Sequence, residues 1–323
     1  MRGRWRGLLA ALGAGALCAV APLHAQNFPV RPIRLIVPYA AGGPTDVIAR
    51  SLTQKIGEAW GQAIVVDNIA GANGVIAQEQ AAKAAPDGYT LFAQSMAYVV
   101  NPLIYKVGYN NERDFIPVSL VASFPLMLAV HPSVPAKNVK ELIDLAKAKP
   151  GQLNYASYGQ GSIAQLAAEL MKTATGADIT HILYKGAAQG LTDTVAGQVQ
   201  MTFPSLATGL PYVKSGRLNA LAVTSRKRAL QLPNVPTMIE AGIPDYEATS
   251  WFAFFYQTGT PRPIVDRLHQ EVMRVVHLPE VKTTLDAQAF EVVGLGPDKF
   301  PAFVRSESEK YERVVRVAKI RVE

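Results

Sequence analysis

Two short runs of glycine and hydroxyl residues hold the chemistry open to this chain. The first is Pro38-Tyr39-Ala40-Ala41-Gly42-Gly43-Pro44-Thr45-Asp46, and the second is Ser157-Tyr158-Gly159-Gln160-Gly161-Ser162. In each, glycines precede a hydroxyl residue, Thr45 or Ser162, at the start of a helical pattern. Glycine lets the backbone approach a ligand closely, and the first turn of a helix leaves N–H groups without intrahelical partners. With the helix dipole, those donors favour an anion such as a carboxylate. Taken singly, each run is equally well an ordinary turn with an N-cap. Two matching runs in separate halves of the chain suit the two walls of one cleft. A hydrogen bond to a charged group is worth roughly 1.5–3 kcal/mol. About five of them reach the roughly −8 kcal/mol of a micromolar complex if the cleft is preorganised, because association costs at least about 4 kcal/mol.

A third run, Tyr184-Lys185-Gly186, closes a strand pattern. It is either a plain strand end with an exposed lysine, or a cleft segment in which Lys185 offsets ligand charge. Signatures of catalysis are missing. Gly159-Gln160-Gly161-Ser162-Ile163-Ala164 loosely fits a dinucleotide pattern but sits mid-chain, away from the context that motif needs. Tyr155-Ala156-Ser157-Tyr158-Gly159 lacks the first glycine of a nucleophile elbow. His131, His181, His269 and His277 have no metal-ligand spacing, and His181 reads as a core histidine. The expectation is a binding protein without catalytic residue, metal or cofactor, with an exported hydrolase as a remote alternative.

These runs need elements to hold them. Strand patterns at 33–37, 64–67 and 89–93 alternate with helical patterns at 46–59 and 74–85. The middle of the chain repeats this grammar with strands at 126–130, 153–156, 179–184, 199–203 and 218–224, and helices at 139–149, 163–175 and 190–196. A proline-rich connection over 233–244 leads to an aromatic strand at 251–256 and three helices at 264–277, 280–287 and 298–318. Strands with local helical connections predict mostly parallel sheets, with ligands at the carboxyl ends of the strands. Trp251 and Phe252 are expected in the core or at a hinge.

Residues 1–25 read as a secretory leader: Arg2, Arg4 and Arg6, an apolar run over 8–21, then Pro22-Leu23-His24-Ala25 with cleavage expected after Ala25. The run is shorter than the roughly 20 residues a membrane span needs. The single cysteine, Cys18, falls inside the leader, so the mature chain is expected to have no disulfide in an oxidising compartment. Losing the leader lowers the formal charge from +7 to +4 over the remaining 298 residues. A mild positive surplus without Lys/Arg runs suits small anions and not nucleic acid.

The motifs together resemble the substrate-binding receptors of tripartite tricarboxylate transporters, the Bug receptors. Pro32-Ile33-Arg34-Leu35-Ile36-Val37-Pro38 running into Gly42-Gly43-Pro44-Thr45-Asp46 carries the likeness, with Pro86-Asp87-Gly88-Tyr89-Thr90-Leu91 and Gly159-Gln160-Gly161-Ser162. Tyr184-Lys185-Gly186, Leu221-Ala222-Val223-Thr224-Ser225 and Leu232-Pro233-Asn234-Val235-Pro236-Thr237 extend it over the mature chain. The resemblance implies an α/β, two-lobed periplasmic binding-protein fold of type II-like form, with the ligand cleft between lobes. By analogy, lobe one spans 27–126 and 247–323, and lobe two spans 127–246. It also implies a carboxylate held by the two glycine-rich loops, and delivery to membrane permease subunits or, alternatively, to a signalling partner. The expected ligand contacts are Tyr39, Ala41, Gly42, Gly43, Thr45, Asp46, Ser157, Tyr158, Gly159, Gly161, Ser162, Gln165, Tyr184, Lys185 and Gly186. Gln165 stands where many relatives have histidine, Tyr158 where a small residue is frequent, Ile69-Ala70 in place of Arg-Pro, and Pro204 in place of Asp. A monomer in the periplasm is the expected form.

Overall fold

The computed structural model describes residues 28–321. The expected leader, with Cys18 and the cut after Ala25, lies outside them. Strand β1 (Ile33–Val37) runs through the first glycine loop into helix α1 (Pro44–Trp60). Pro44 suits the first helical position because its fixed φ is already helical. Ile48, Leu52 and Ile56 make the buried stripe of α1, and Gly61 ends it in a left-handed conformation (φ 65°). Next come β2 (Ile64–Asn68), a 3-10 turn at Ala72–Gly74, α2 (Val75–Ala82) and β3 (Thr90–Gln94). Leu35 lies opposite both Val66 and Leu91, so these three strands are parallel. Helices α3 (Ala97–Ile104) and α4 (Asn111–Asp114) lead to the long β4 (Phe115–Pro125).

A second sheet follows, built from β5 (Met127–Val130), α5 (Val139–Ala148), β6 (Asn154–Ser157), α6 (Ile163–Thr175) and β7 (Thr180–Leu183). It is completed by α7 (Ala187–Val195), β8 (Met201–Thr202), α8 (Leu206–Lys214) and β9 (Asn219–Val223), in the order β7-β6-β8-β5-β9. The chain then returns as β10 (Thr249–Gln257), α9 (Arg262–Val275), α10 (Pro279–Ala287), β11 (Glu291–Leu295) and α11 (Phe300–Ala318). Strand β10 inserts into the middle of the first sheet, whose order is β11-β4-β10-β3-β1-β2. Trp251, Phe252, Phe254, Phe255 and Tyr256 on this strand are all fully buried, which places the first two in the core, one of the two positions expected for them. Each sheet with its covering helices makes one lobe.

The two passages between sheets are clasped at one point. Leu126 donates its N–H to Thr224 Oγ1 at 2.8 Å, and Thr224 N–H donates to the Leu126 carbonyl at 3.0 Å. Ala248 N–H, just before β10, donates to the Thr224 carbonyl at 3.1 Å. Helix α11 packs against both α3 and α6.

The fold class stands as expected, but the pairing is mixed where mostly parallel sheets were expected. Among the described residues, four strand pairs are parallel and five antiparallel. The pairs β1–β2, β1–β3, β6–β7 and β6–β8 are parallel, whereas β4, β5, β9, β10 and β11 run against every strand they pair with. Elements α3, α4, β4, α8 and β11 were not expected from the sequence. Pro102 lies inside α3, Pro211 inside α8, and β4 contains Pro117, all residues that normally interrupt such elements. Register shifts between β4 and β10 accommodate the irregular strand, with Pro117 opposite Phe255. No described helix is long and apolar enough to cross a membrane.

Candidate functional site

The first loop leaves the carboxyl end of β1, where Gly42 sits at φ 84°. Its N–H donates to Asp46 Oδ2 at 2.9 Å, from one end of the loop to the first turn of α1. Asp46 is buried and collects three further bonds: two from Arg50 Nε at 3.0 Å and one from Asn68 Nδ2 at 2.9 Å. Asn68, at the end of β2, also donates to the Tyr39 carbonyl at 2.9 Å. Burial pushes the Asp46 pKa up, but hydrogen bonds from Arg50, Gly42 and Asn68 outweigh it and hold the carboxyl below its ordinary value. The loop is therefore fixed before any ligand arrives. Tyr39 is half-buried, its hydroxyl 2.6 Å from Ser95 Oγ and 3.1 Å from Gln94 Oε1. Burial raises it to about 12, against a partly offsetting bond from Ser95. Ala41 is exposed, and Gly43 and Thr45 are half-buried at the start of α1.

The second loop has the same construction with different residues. Gly161 sits at φ 71° and donates its N–H to Gln165 Oε1 at 2.7 Å. Ser162 caps α6 by accepting the Gln165 N–H, and Gln165 Nε2 donates to Gln160 Oε1 at 2.9 Å. Beneath the loop, Ser157 Oγ is 2.6 Å from His181 Nε2, and His181 Nδ1 is 3.4 Å from Gln165 Nε2. The imidazole stacks on Tyr155 with centroids 4.8 Å apart and planes at 15°. Serine and histidine at this spacing resemble a nucleophile and its base. Ser157, however, is only 2% exposed and the far ring nitrogen meets an amide where an acid would orient a base. His181 is thus a satisfied histidine, as its strand position implied, and it supports the loop.

Tyr184, Lys185 and Gly186 lie beside this loop because β6 and β7 are parallel and in register, with Ser157 opposite Leu183. Tyr184 N–H donates to the Ser157 carbonyl at 2.9 Å. Burial, then the neighbouring Asp193, raises the Tyr184 hydroxyl to about 12. Lys185 is exposed, and Gly186 is the N-cap of α7.

The two loops converge across the lobes. A Cβ on Gly161 would run into Ile104 Cδ1 and come within 3.1 Å of Val100 Cγ1, both on α3 of the first lobe. Tyr105 donates its hydroxyl to the Gln160 carbonyl at 3.4 Å. The Tyr158 hydroxyl is raised above its ordinary value by burial first and by the nearby Tyr39 of the other lobe second. Asp46 and Gln165, expected as ligand contacts, direct their side chains into their own loops.

The sequence reading missed Asn68, Gln94, Ser95, Tyr105 and Tyr109. Tyr109 is buried and its hydroxyl lacks a hydrogen-bond partner. It lies close enough to Asn101 and Tyr39 for both to affect its pKa, which burial, as the main cause, raises. No signal short of the fold marks these residues, because they come from strand ends and from the unforeseen α3 region.

The profile described as tripartite tricarboxylate transporter family receptor matches residues 48–320. Protein BugT of Bordetella pertussis is 37% identical over 314 residues, covering 96% of each chain. Among solved structures, Rpa4515 of R. palustris with adipate superposes with a TM-score of 0.84 at 36% identity, covering 91% of this chain and 99% of that one. MatC of Rhodopseudomonas palustris with bound malate gives 0.79 at 31% identity, covering 89% of this chain and 100% of that one.

Proposed function

The chain belongs to the tripartite tricarboxylate transporter receptor family, and we propose that it captures a small organic carboxylate between its lobes and presents it to the membrane permease subunits of such a transporter. The convergence of the two glycine loops, each at a helix start and each from its own lobe, carries this reading. The adipate and malate held by two similar structures support the carboxylate class.

In this reading the anion meets free N–H groups in the first turns of α1 and α6 and the hydroxyls of Thr45 and Ser162. Tyr39, Ala41, Gly43, Tyr158 and Gly159 line the space, with Tyr184 and Gly186 at its edge and Lys185 as a supporting charge. Gly42 and Gly161 supply shape, since their own N–H groups are engaged. Asp46, Gln165 and Ser157 position the loops. Lobe one comprises 27–126 and 247–323, lobe two 127–246, and the Leu126–Thr224 clasp is the axis of closure. The protein works in the periplasm after export by its leader, and it releases its ligand unchanged.

Calorimetry with adipate and malate as probes tests this. Saturable binding is expected for at least one, with Thr45→Ala and Ser162→Ala each weakening it about tenfold, the loss of one hydrogen bond to a charged group. Far-ultraviolet circular dichroism should be unchanged. Absence of saturable binding across small mono- and dicarboxylates, or full affinity in both variants, rejects the site.

A further inference from the structure

We propose that His181 is a positioning residue: its neutral ring, protonated on Nε2, fixes the Gly161 peptide, and proton uptake on Nδ1 releases the second loop. The loop's task as a carboxylate site rests on the function proposed above, but the coupling itself does not.

Hydrogen-bond direction fixes the tautomer. A backbone N–H only donates, so the Gln165 atom 2.7 Å from Gly161 N must be the carbonyl Oε1. The amide nitrogen then faces Gln160 Oε1 at 2.9 Å and His181 Nδ1 at 3.4 Å. An amide nitrogen does not accept, so Nδ1 presents its lone pair and the ring proton lies on Nε2, toward Ser157 Oγ at 2.6 Å. Ser157 in turn reaches the Gly159 carbonyl at 3.5 Å. One donor-to-acceptor chain thus runs from Gln165 to Gly159, and Gln165 also accepts from Gly161. Both glycines of the loop are tied to the same ring.

A proton on Nδ1 sets an N–H against the Gln165 amide hydrogens. Rotating the amide relieves that repulsion but turns its NH2 toward the Gly161 N–H. Either response takes the acceptor from Gly161. The ionisable groups facing the ring are Tyr155 from β6, and Glu169 and Lys172 from α6. Lys172 and Tyr155 both donate to Glu169 Oε1, at 2.8 and 2.7 Å. Burial is the main effect on His181 and lowers its pKa; Glu169 opposes and Lys172 assists. The neutral ring therefore prevails at neutral pH. At the first loop the equivalent support is Asp46 with Asn68, neither of which takes up a proton near neutrality. Proton sensitivity resides in the second loop alone.

Nitrogen-15 spectra of the ligand-free, full-length protein test this directly. The expected result is an unprotonated Nδ1 at neutral pH, and a Gly161 amide that titrates with the His181 ring at one midpoint below 6.5. His181→Phe keeps a ring on Tyr155 and should leave the Gly161 amide flat with pH. With adipate as probe, affinity should fall below that midpoint by up to about tenfold per pH unit beyond what protonation of adipate itself accounts for, and His181→Phe should remove that excess. An unprotonated Nε2, a Gly161 amide that ignores the His181 midpoint, or the same titration in His181→Phe overturns the proposal. If the phenylalanine variant does not fold, the tautomer and the shared midpoint still decide. If adipate does not bind, the carboxylate reading is what suffers, and the ligand-free spectra judge the coupling on their own.

Discussion

Gly161 N–H donates to Gln165 Oε1 at 2.7 Å, repeating at the second loop the 2.9 Å bond from Gly42 N–H to Asp46. In both loops a glycine is held by the side chain four residues on, in the first turn of the next helix. A residue of the neighbouring strand, His181 within β7 or Asn68 at the end of β2, then steadies that side chain. The loops are held alike, one by a charge and one by an amide.

Gly161→Ala should cost more than its backbone conformation alone. Gly176 has nearly the same φ (70°) but nothing within 4 Å of an added Cβ, whereas at Gly161 the methyl meets Ile104. Urea unfolding should show Gly176→Ala losing about 1–2 kcal/mol and Gly161→Ala about 1 kcal/mol more through overpacking. Calorimetry with adipate should show weakened binding in Gly161→Ala only.

Asp46→Asn should destabilise the protein by about 1–3 kcal/mol, since Arg50 and Gly42 lose a charged acceptor. The folded carboxyl titrates below its ordinary value. Its contribution is complete above the unfolded pKa of about 3.9 and is lost as pH falls through the folded pKa. Urea unfolding across acid pH should therefore show the variant and the unmodified protein drawing together toward the acid end.

Thr224→Val removes the hydroxyl that accepts the buried Leu126 N–H at 2.8 Å. A loss of about 1–3 kcal/mol is expected for the orphaned donor. The backbone bond from Thr224 N–H remains, so the fold should persist, which circular dichroism checks.

Gln165→Glu keeps an acceptor for Gly161 and faces His181 with a carboxylate. The imidazolium is then favoured, so the His181 midpoint should move upward, read from ring carbon or nitrogen shifts. An unchanged midpoint would show that residue 165 does not face the ring in solution.

The glycine loops were legible because Gly42, Gly43, Gly159 and Gly161 stand beside hydroxyl residues at helix starts, a pattern with a physical meaning. The side chains that hold them were not. Asp46 and Gln165 are visible as first-turn residues, yet nothing in the sequence says that they turn back onto a glycine N–H. Asn68 and His181 come from adjacent strands, and only sheet register brings them under the loops. Strand β4 was hidden by Pro117, and α3 by Pro102, so the face that Gly161 packs against could not be foreseen. Mixed pairing escaped for a related reason: local helical connections announce parallel neighbours, but the returning β10 depends on a partner more than a hundred residues away.

That return has a bearing on how the chain acquires its structure. Strand β10 fills the slot between β3 and β4, so any chain shorter than Thr249 leaves both of those strands with an open edge. The first lobe has four of its six strands early in the sequence, yet it lacks its middle until the second lobe has been threaded through. Such long-range pairing slows folding, because loop closure must precede the contacts that reward it. The nascent chain therefore cannot close its first sheet until its last third has emerged.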